Sequence, residues 1–320
     1  MGILAFIGLG SNLGDRQAQL ESALAALADS PDVIVRAISS FHETPPVGGP
    51  GGQGEFLNAS AALETSLEPT DLLSLLQSIE HRAGRIRTVR WGERPLDLDL
   101  LLYGDRRLHT SHPPGGGHDA IELIVPHSRL AVRRFVLAPL AEIARDAIEP
   151  CTGRTVAELL ANLDRRPSFV ALHHRCAARE TLFSRLVPKL SAIGLYYGEV
   201  PAADGPESEN WYDRRRRELR AENWPAATWG DRLLVTDVWF DDPPREGACP
   251  RGGPSRLQDE SAEARRRIIA PTFVVAPRDS GFPPSTSVTP TLWLEADDTE
   301  VMAEEIASAC KASRAGRASC

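Results

Sequence analysis

The chain has 320 residues, 42% hydrophobic and 25% charged, a globular composition long enough for two domains that excludes disorder as the main state. Lys+Arg total 36 against 44 Asp+Glu, a net charge of −8, so the molecule as a whole repels phosphate, a nucleic-acid coat is excluded and any anion must be held locally. No run reaches the roughly 18 apolar residues of a membrane span, and the five cysteines are widely spaced without a Cys-x-x-Cys pair, which indicates neither a disulfide framework nor a zinc site. A soluble, untargeted, cytoplasmic protein is expected.

The charge is unevenly spread. Residues 1–164 hold 14 arginines, no lysine and 21 acids, a balance of −7 against −1 for the remainder, an asymmetry that suggests two modules.

In chain order, Ile3 to Ile7 reads as a buried strand and Gly8-Leu-Gly-Ser-Asn-Leu-Gly14 as the turn after it. A helix starts near Asp15, with Leu20, Leu24 and Leu27 at helical spacing, and Val33 to Phe41 reads as a second strand. The Gly/Pro-rich stretch Thr44 to Gly54 denies both helix and ladder, and a loop that long is usually functional. Strand Phe56 to Leu63 follows, then a helix opened by Pro69 with the stripe Leu72, Leu76 and Ile79, ending at Gly84. An arginine-rich segment from Arg85 to Arg94 leads into a strand over Pro95 to Tyr103. A Gly/Pro/His-rich excursion, His109 to Asp119, precedes Val125-Pro-His127, the apolar run Phe135 to Leu140 and helix signals at Thr155 to Leu163.

From Phe169 a second α/β pattern begins: strands at 169–172, 233–238 and 291–294, and helices at 180–193, 258–268 and 299–311. The expected domains are 1–164 and 169–312, joined by a linker at 165–168 and followed by a disordered tail at 313–320.

The strongest constellation is Asp97-Leu98-Asp99 on a strand. Side chains alternate along a strand, so both carboxylates share one face, about 6.6 Å apart, while Leu96, Leu98, Leu100 and Leu102 point to the other. Paired hard oxygens with room left for water and phosphate suit Mg²⁺. Arg85, Arg87, Arg90 and Arg94 crowd the segment before the strand, and Arg133 and Arg134 follow His127. A metal-bound nucleotide needs both signs of partner, carboxylates for the metal and guanidinium forks for the phosphates.

These residues, with Gly8-Leu-Gly-Ser-Asn-Leu-Gly14, Ser40-Phe-His-Glu-Thr-Pro-Pro-Val-Gly48, Phe56-Leu-Asn58, Gly84-Arg-Ile-Arg87, Arg90-Trp-Gly-Glu-Arg-Pro-Leu-Asp-Leu-Asp99, Val125-Pro-His127 and Arg133-Arg-Phe-Val-Leu137 in order, resemble the 6-hydroxymethyl-7,8-dihydropterin pyrophosphokinases of folate biosynthesis. The resemblance runs from about Ile3 to about Leu163. It implies a ferredoxin-like α/β (α+β) domain that transfers pyrophosphate from MgATP to the pterin hydroxymethyl and releases AMP. It further implies that Asp97 and Asp99 hold two Mg²⁺, and that Arg85, Arg94, His127 and Arg133 act on the phosphates as catalytic residues. Gln77, Glu80, Arg87, Arg90 and Trp91 would contact ATP. Thr44, Pro45, Val47, Phe56, Asn58 and Phe135 would form the pterin slot, which suits a flat heteroaromatic edged with donors and acceptors. The partners are then small molecules, with no nucleic acid and no membrane. Glu93 departs from the family, which usually has proline there, and the three histidines of His109 to His118 read as a solvated loop insertion.

Residues 169–312 resemble a degenerate deoxynucleoside kinase, which implies a P-loop-kinase-like α/β domain. Where that family has its phosphate-cradling glycines, lysine and hydroxyl, this chain has His173, Cys176, Ala178, Arg179 and Glu180, so an inactive scaffold, dimerisation or regulatory module is expected. Two further readings stand beside this one: a bifunctional enzyme with a live C-terminal kinase, and a non-catalytic pterin- or nucleotide-binding protein.

Overall fold

The computed structural model describes residues 2–85, 92–111, 122–164, 169–172, 179–193, 195–197, 234–236, 273–277, 290–294 and 298–315. The chain divides into two units, the first built on Met1–Leu163 with the residues from Ser308 on, and the second on Asp164–Phe282 and Thr289–Ala307.

The first unit opens as β1 (Ile3–Ser11), α1 (Arg16–Ala28), β2 (Val33–Ile38), β3 (His42–Thr44), β4 (Phe56–Thr65), α2 (Pro69–Arg82) and β5 (Asp97–Tyr103). Its sheet runs β2-β4-β1-β5, with β3 also pairing to β4, and every pairing is antiparallel. Alternation along β1 and β4 sends Ala5, Ile7, Leu9, Ala59, Ala61 and Leu63 to one face, where they pack with Leu20, Leu24 and Leu27 of α1 and Leu72, Leu76 and Ile79 of α2. Asp15 caps α1, its carboxylate accepting from the Ala18 N–H at 3.0 Å. The other face carries Phe6 and Ala62 against Val136, Leu137 and Leu140 of α3 (Arg134–Ala144) and Leu159 and Leu163 of α4 (Val156–Asp164). In chain order the hairpin β6 (Leu108–Ser111) with β7 (Glu122–Val125) precedes α3, and the short pair β8 (Ile148–Glu149) with β9 (Arg154–Thr155) separates α3 from α4.

Three expectations change here. The Gly8 to Ser11 stretch is strand, not turn: β1 continues to Ser11, with Gly8 opposite Ser60 and Gly10 opposite Asn58. A Cβ on Gly10 would stand 3.4 Å from Asn58 Oδ1 and 3.9 Å from Asp97 Cβ, so glycine here leaves room beside side chains of interest. The leucines of β5 also change phase. Phe6 pairs with Leu102 and Ile7 with Leu100, leaving Leu101 as an extra residue. That bulge puts Leu101 and Leu102 in the α3/α4 core, whereas Leu96, Leu98 and Leu100 stay in the α1/α2 core. Leu102 therefore does not share a face with Leu100 as alternation predicts. Phe41 lies outside β2, which ends at Ile38, and the apolar run Phe135 to Leu140 is helical.

In the second unit β10 (Phe169–Leu172), β11 (Tyr196–Tyr197), β12 (Leu234–Thr236), β13 (Phe273–Pro277) and β14 (Thr291–Leu294) form an all-parallel sheet in the order β11-β12-β10-β13-β14. Its order reverses beside β10, as in doubly wound sheets. Helices α5 (Arg179–Ala192) and α6 (Thr299–Ala312) are tied by Lys189 Nζ to Glu300 Oε1 at 2.7 Å and Arg185 to Glu300 at 3.5 Å. β13 was not anticipated, because its run Phe-Val-Val-Ala lacks alternation, and periodicity alone does not separate so short an apolar run from a buried helix segment. The expected helix at 258–268 lies outside the described residues, as do 165–168 and 316–320. Residues 313–315, expected as part of the tail, form a turn: the Ser313 amide donates to the Ala309 carbonyl at 3.0 Å and its hydroxyl to that of Cys310 at 2.8 Å, which satisfies carbonyls at the helix end. No described helix is long and apolar enough to cross a membrane.

Candidate active site

The site forms on the α3 side of the sheet, where β5 emerges from its loop. Asp97 and Asp99 stand on one face of β5, as alternation requires, with Leu98 buried on the other. Asp97 receives two guanidiniums, Arg85 Nη1 on Oδ1 at 2.7 Å and Arg94 Nη1 on Oδ2 at 2.8 Å. Asp99 receives Arg133 Nη1 on Oδ2 at 3.3 Å, with His127 Nε2 at 3.8 Å from the same oxygen. Burial opposes the charge on Asp99, but His127, Arg133, Arg94 and Arg85 around it hold the carboxyl below its usual range.

Arg85 is delivered by a helix cap. Gly84 ends α2 at φ +84, its N–H reaching the His81 carbonyl while the Arg85 N–H reaches that of Glu80 at 3.1 Å. This glycine-dependent reversal folds Arg85 back onto the last turn, where its guanidinium pairs with the Glu80 carboxylate. Glu80 is only 4% exposed, and its Oε1 also accepts from the Leu98 N–H at 2.7 Å. Burial pushes its carboxyl up to about 7, even against the opposing pull of Arg85 and the Leu98 N–H.

His127 is placed by backbone. Its own N–H donates to the Leu101 carbonyl, at the bulge of β5, at 2.9 Å. Its Nδ1 accepts from the Arg129 N–H at 3.0 Å, so in the neutral ring the proton sits on Nε2, the nitrogen facing Asp99. Burial outweighs Asp99 and, with the nearby Arg133 and Arg129, pushes the imidazole down to about 4, so the ring is neutral at pH 7.

One pocket takes in Thr44, Pro45, Val47, Phe56, Asn58 and Phe135 together with Arg94, Asp97, Asp99 and Arg133. The expected pterin residues and the carboxylate pair therefore share a single cavity. Asn58 is buried and donates through Nδ2 to Thr44 Oγ1 at 2.8 Å, which leaves its Oδ1 as an acceptor. Arg133 lies 5.7 Å from the Phe135 ring centre, joining the two ends of the cavity. Gln77 is half-buried one helical step from Glu80 on α2 and does not line the pocket. Arg87, Arg90 and Trp91 lie outside the described residues.

Residue-type reasoning passed over Asn12. It follows β1, is 5% exposed, accepts from the Arg94 N–H at 2.8 Å and donates its own N–H to the Arg94 carbonyl at 3.2 Å. Its Nδ2 donates to Gln53 Oε1 at 3.3 Å, and Gln53 in turn donates to the Gly48 and Pro50 carbonyls. The glycine-rich loop and the segment carrying Arg94 thus meet on one amide. Arg129 also lines the pocket. Among the described residues no group of three or more His, Cys, Asp or Glu gathers as a metal site. Two carboxylates on one strand face remain a fit for Mg²⁺, which binds one or two carboxylates and takes its other ligands from water and substrate phosphates.

The model of the 7,8-dihydro-6-hydroxymethylpterin-pyrophosphokinase family matches residues 6–145. The 2-amino-4-hydroxy-6-hydroxymethyldihydropteridine pyrophosphokinase of Bacillus subtilis is 45% identical over 153 residues, 48% of this chain and 85% of that one. The enzymes of the same name from Pseudomonas aeruginosa and Synechocystis are 43% identical over 156 residues and 39% over 160, covering 49% and 50% of this chain and 89% and 76% of theirs. Through its N-terminal half, this chain belongs to the 7,8-dihydro-6-hydroxymethylpterin-pyrophosphokinase family.

Proposed function

We infer that the chain transfers the diphosphate of MgATP to 6-hydroxymethyl-7,8-dihydropterin, giving AMP and the pterin diphosphate in folate biosynthesis. The observation that carries this reading is the single cavity in which a slot of Phe56, Phe135, Asn58 and Thr44 opens onto the Asp97/Asp99 pair. The βαββαβ order and antiparallel sheet support a ferredoxin-like fold for the first unit.

In this reading Phe56 and Phe135 plate the pterin and Asn58 Oδ1 accepts from its edge. Asp97 and Asp99 hold magnesium, which when bound neutralises charge on the phosphates and orients them. Arg85, Arg94 and Arg133 grip phosphate oxygens with the same forks that now sit on carboxylates. His127, neutral at pH 7, donates a hydrogen bond from its Nε2–H to a phosphate oxygen. Glu80 orients Arg85 and β5 beside the nucleotide, with Gln77 next to it and Arg87, Arg90 and Trp91 completing the ATP contacts. Catalysis is then positioning and charge neutralisation, with no covalent step on the protein.

The test is AMP release that requires both substrates. Within it, Thr44→Val removes the acceptor that fixes the Asn58 amide, and the KM for pterin is expected to rise about tenfold with the KM for ATP within about twofold. Equal rises in both would contradict the slot.

For the second unit we propose a P-loop-kinase-like scaffold without kinase activity. The all-parallel, doubly wound sheet supports the architecture. The loss of the cradle glycines and lysine at His173, Cys176, Ala178 and Arg179, with Glu180 in place of the hydroxyl, supports the inactivity. Residues 173–178 and the side chains of Arg179 and Glu180 lie outside the described residues. A deoxynucleoside that drew ADP from ATP would refute this.

A further inference from the structure

Away from the carboxylate pair, two groups of Ser40, just before β3, and the ring of His42, its first residue, converge on one side chain of α3. The Ser40 N–H donates to Glu142 Oε2 at 2.7 Å, and its hydroxyl lies 2.8 Å from Oε1 and 2.9 Å from Oε2. His42 Nε2 lies 2.7 Å from Glu142 Oε1 and 3.2 Å from Ser40 Oγ. Serine and glutamate thus meet the same ring nitrogen. A nucleophile relay needs the acid on one imidazole nitrogen and the hydroxyl on the other, so the cluster is not a hydrolytic triad. It joins two elements about 100 residues apart in the chain.

The elements it joins are the two walls of the pocket. On β3, His42 and Thr44 are two apart and share a face, and Thr44 is the residue that fixes Asn58. On α3, Phe135 and Glu142 are seven apart, two helical turns along the same face. One face of β3 and one face of α3 therefore run side by side, closed by the Ser40/His42/Glu142 cluster at one end and opening as the slot at the other. β3 has only three residues and pairs with β4. The cluster supplies a second fixture. Burial works against the Glu142 charge, but the Ser40 amide and hydroxyl and His42 hold its carboxyl below the usual range, in keeping with an acceptor that stays ionised.

We propose that Glu142, with Ser40 and His42, acts as a positioning cluster that sets the spacing between the Thr44/Asn58 wall and the Phe135 wall, and so tunes the affinity and size selectivity of the pterin slot. The proposal rests on the pyrophosphokinase reading of that slot. None of the three residues lines the pocket itself, so their effect passes through Thr44 and Phe135. Loosening the cluster lets the walls part, which weakens a flat ligand that needs both plates and admits a bulkier one.

The test compares wild type with Glu142→Ala and Ser40→Ala, each confirmed as folded by its thermal transition. Pterin KM, ATP KM and the ratio of kcat/KM for 6-hydroxymethyl-7,8-dihydropterin over a ring-methylated analogue are measured for each. Glu142→Ala is expected to raise the pterin KM about tenfold, leave the ATP KM within about twofold and lower the selectivity ratio, and Ser40→Ala to do the same by about threefold. A merely structural cluster would lower the melting temperature and leave selectivity unchanged, and that result overturns the proposal. If Glu142→Ala does not fold, Ser40→Ala and Glu142→Gln decide: Gln keeps one of the two oxygens that the Ser40 amide, its hydroxyl and His42 share, so a rise of about threefold in pterin KM is expected, and unchanged pterin KM and selectivity in both variants overturn the proposal. Absence of AMP from wild type would overturn the pyrophosphokinase reading instead, so the two failures are distinguishable.

Discussion

Asp97→Asn is expected to reduce AMP formation by about 10²- to 10³-fold while leaving pterin affinity within about twofold. The argument starts from charge. Asp97 carries Arg85 on one oxygen and Arg94 on the other; an amide keeps the shape but offers one acceptor and no charge, so two guanidiniums lose their counter-ion and magnesium loses a hard anionic ligand. The slot residues Asn58 and Thr44 bond to each other without Asp97, which is why binding and turnover separate. Pterin binding followed by ligand fluorescence, beside AMP release, reads both. AMP formation within about threefold of wild type would remove Asp97 from the mechanism.

Glu80→Ala is expected to cost about 2–3 kcal/mol of stability, because the Arg85 guanidinium keeps Asp97 but loses its second carboxylate and a buried amide loses its acceptor. Arg85 loses its near partner, and the Leu98 N–H, in the strand that carries both aspartates, loses its acceptor. Glu80→Gln keeps the acceptor and is expected to cost less. The two differ from wild type in pH dependence also. Burial raises the folded-state carboxyl from 4.5 to about 7, so between those values the folded protein holds a proton that the unfolded chain has lost. Stability contributed by this group is therefore fully present below pH 4.5 and is lost as pH rises through 7. Melting temperatures of wild type and Glu80→Gln in metal-free buffer are expected to diverge across that window, wild type falling more steeply with rising pH. Parallel profiles would contradict it.

The sequence is most informative where chemistry and local periodicity agree. Asp97 and Asp99 share a face because a strand alternates, and Arg85 reaches Glu80 because Gly84 supplies the positive φ of a helix cap. The expected slot residues meet because β4 brings Phe56 and Asn58 beside β3 while α3 carries Phe135. What stayed hidden depends on pairing across the sheet. The bulge at Leu101 is a matter of register between β1 and β5, which composition does not encode, and it moves Leu102 to the opposite core. Gly8 and Gly10 read as a turn because glycine usually breaks strands; inside the sheet the missing Cβ of Gly10 leaves space by Asn58 and Asp97, and that of Gly8 lies against Leu101. Asn12 and Glu142 were illegible for a further reason, since each acts on a partner 82 or about 100 residues away.

The net charge of −8 gave no sign of an anion site in the more acidic half. Placement decides it: Arg85, Arg94 and Arg133 are held over two carboxylates whose charge they balance.

The most direct test follows the transferred atoms. With ATP labelled on the β-phosphate, magnesium and 6-hydroxymethyl-7,8-dihydropterin, the label is expected to appear in the pterin product, in equal amount to unlabelled AMP. Label retained in ADP, or no pterin-bound label at all, would contradict diphosphate transfer by this chain.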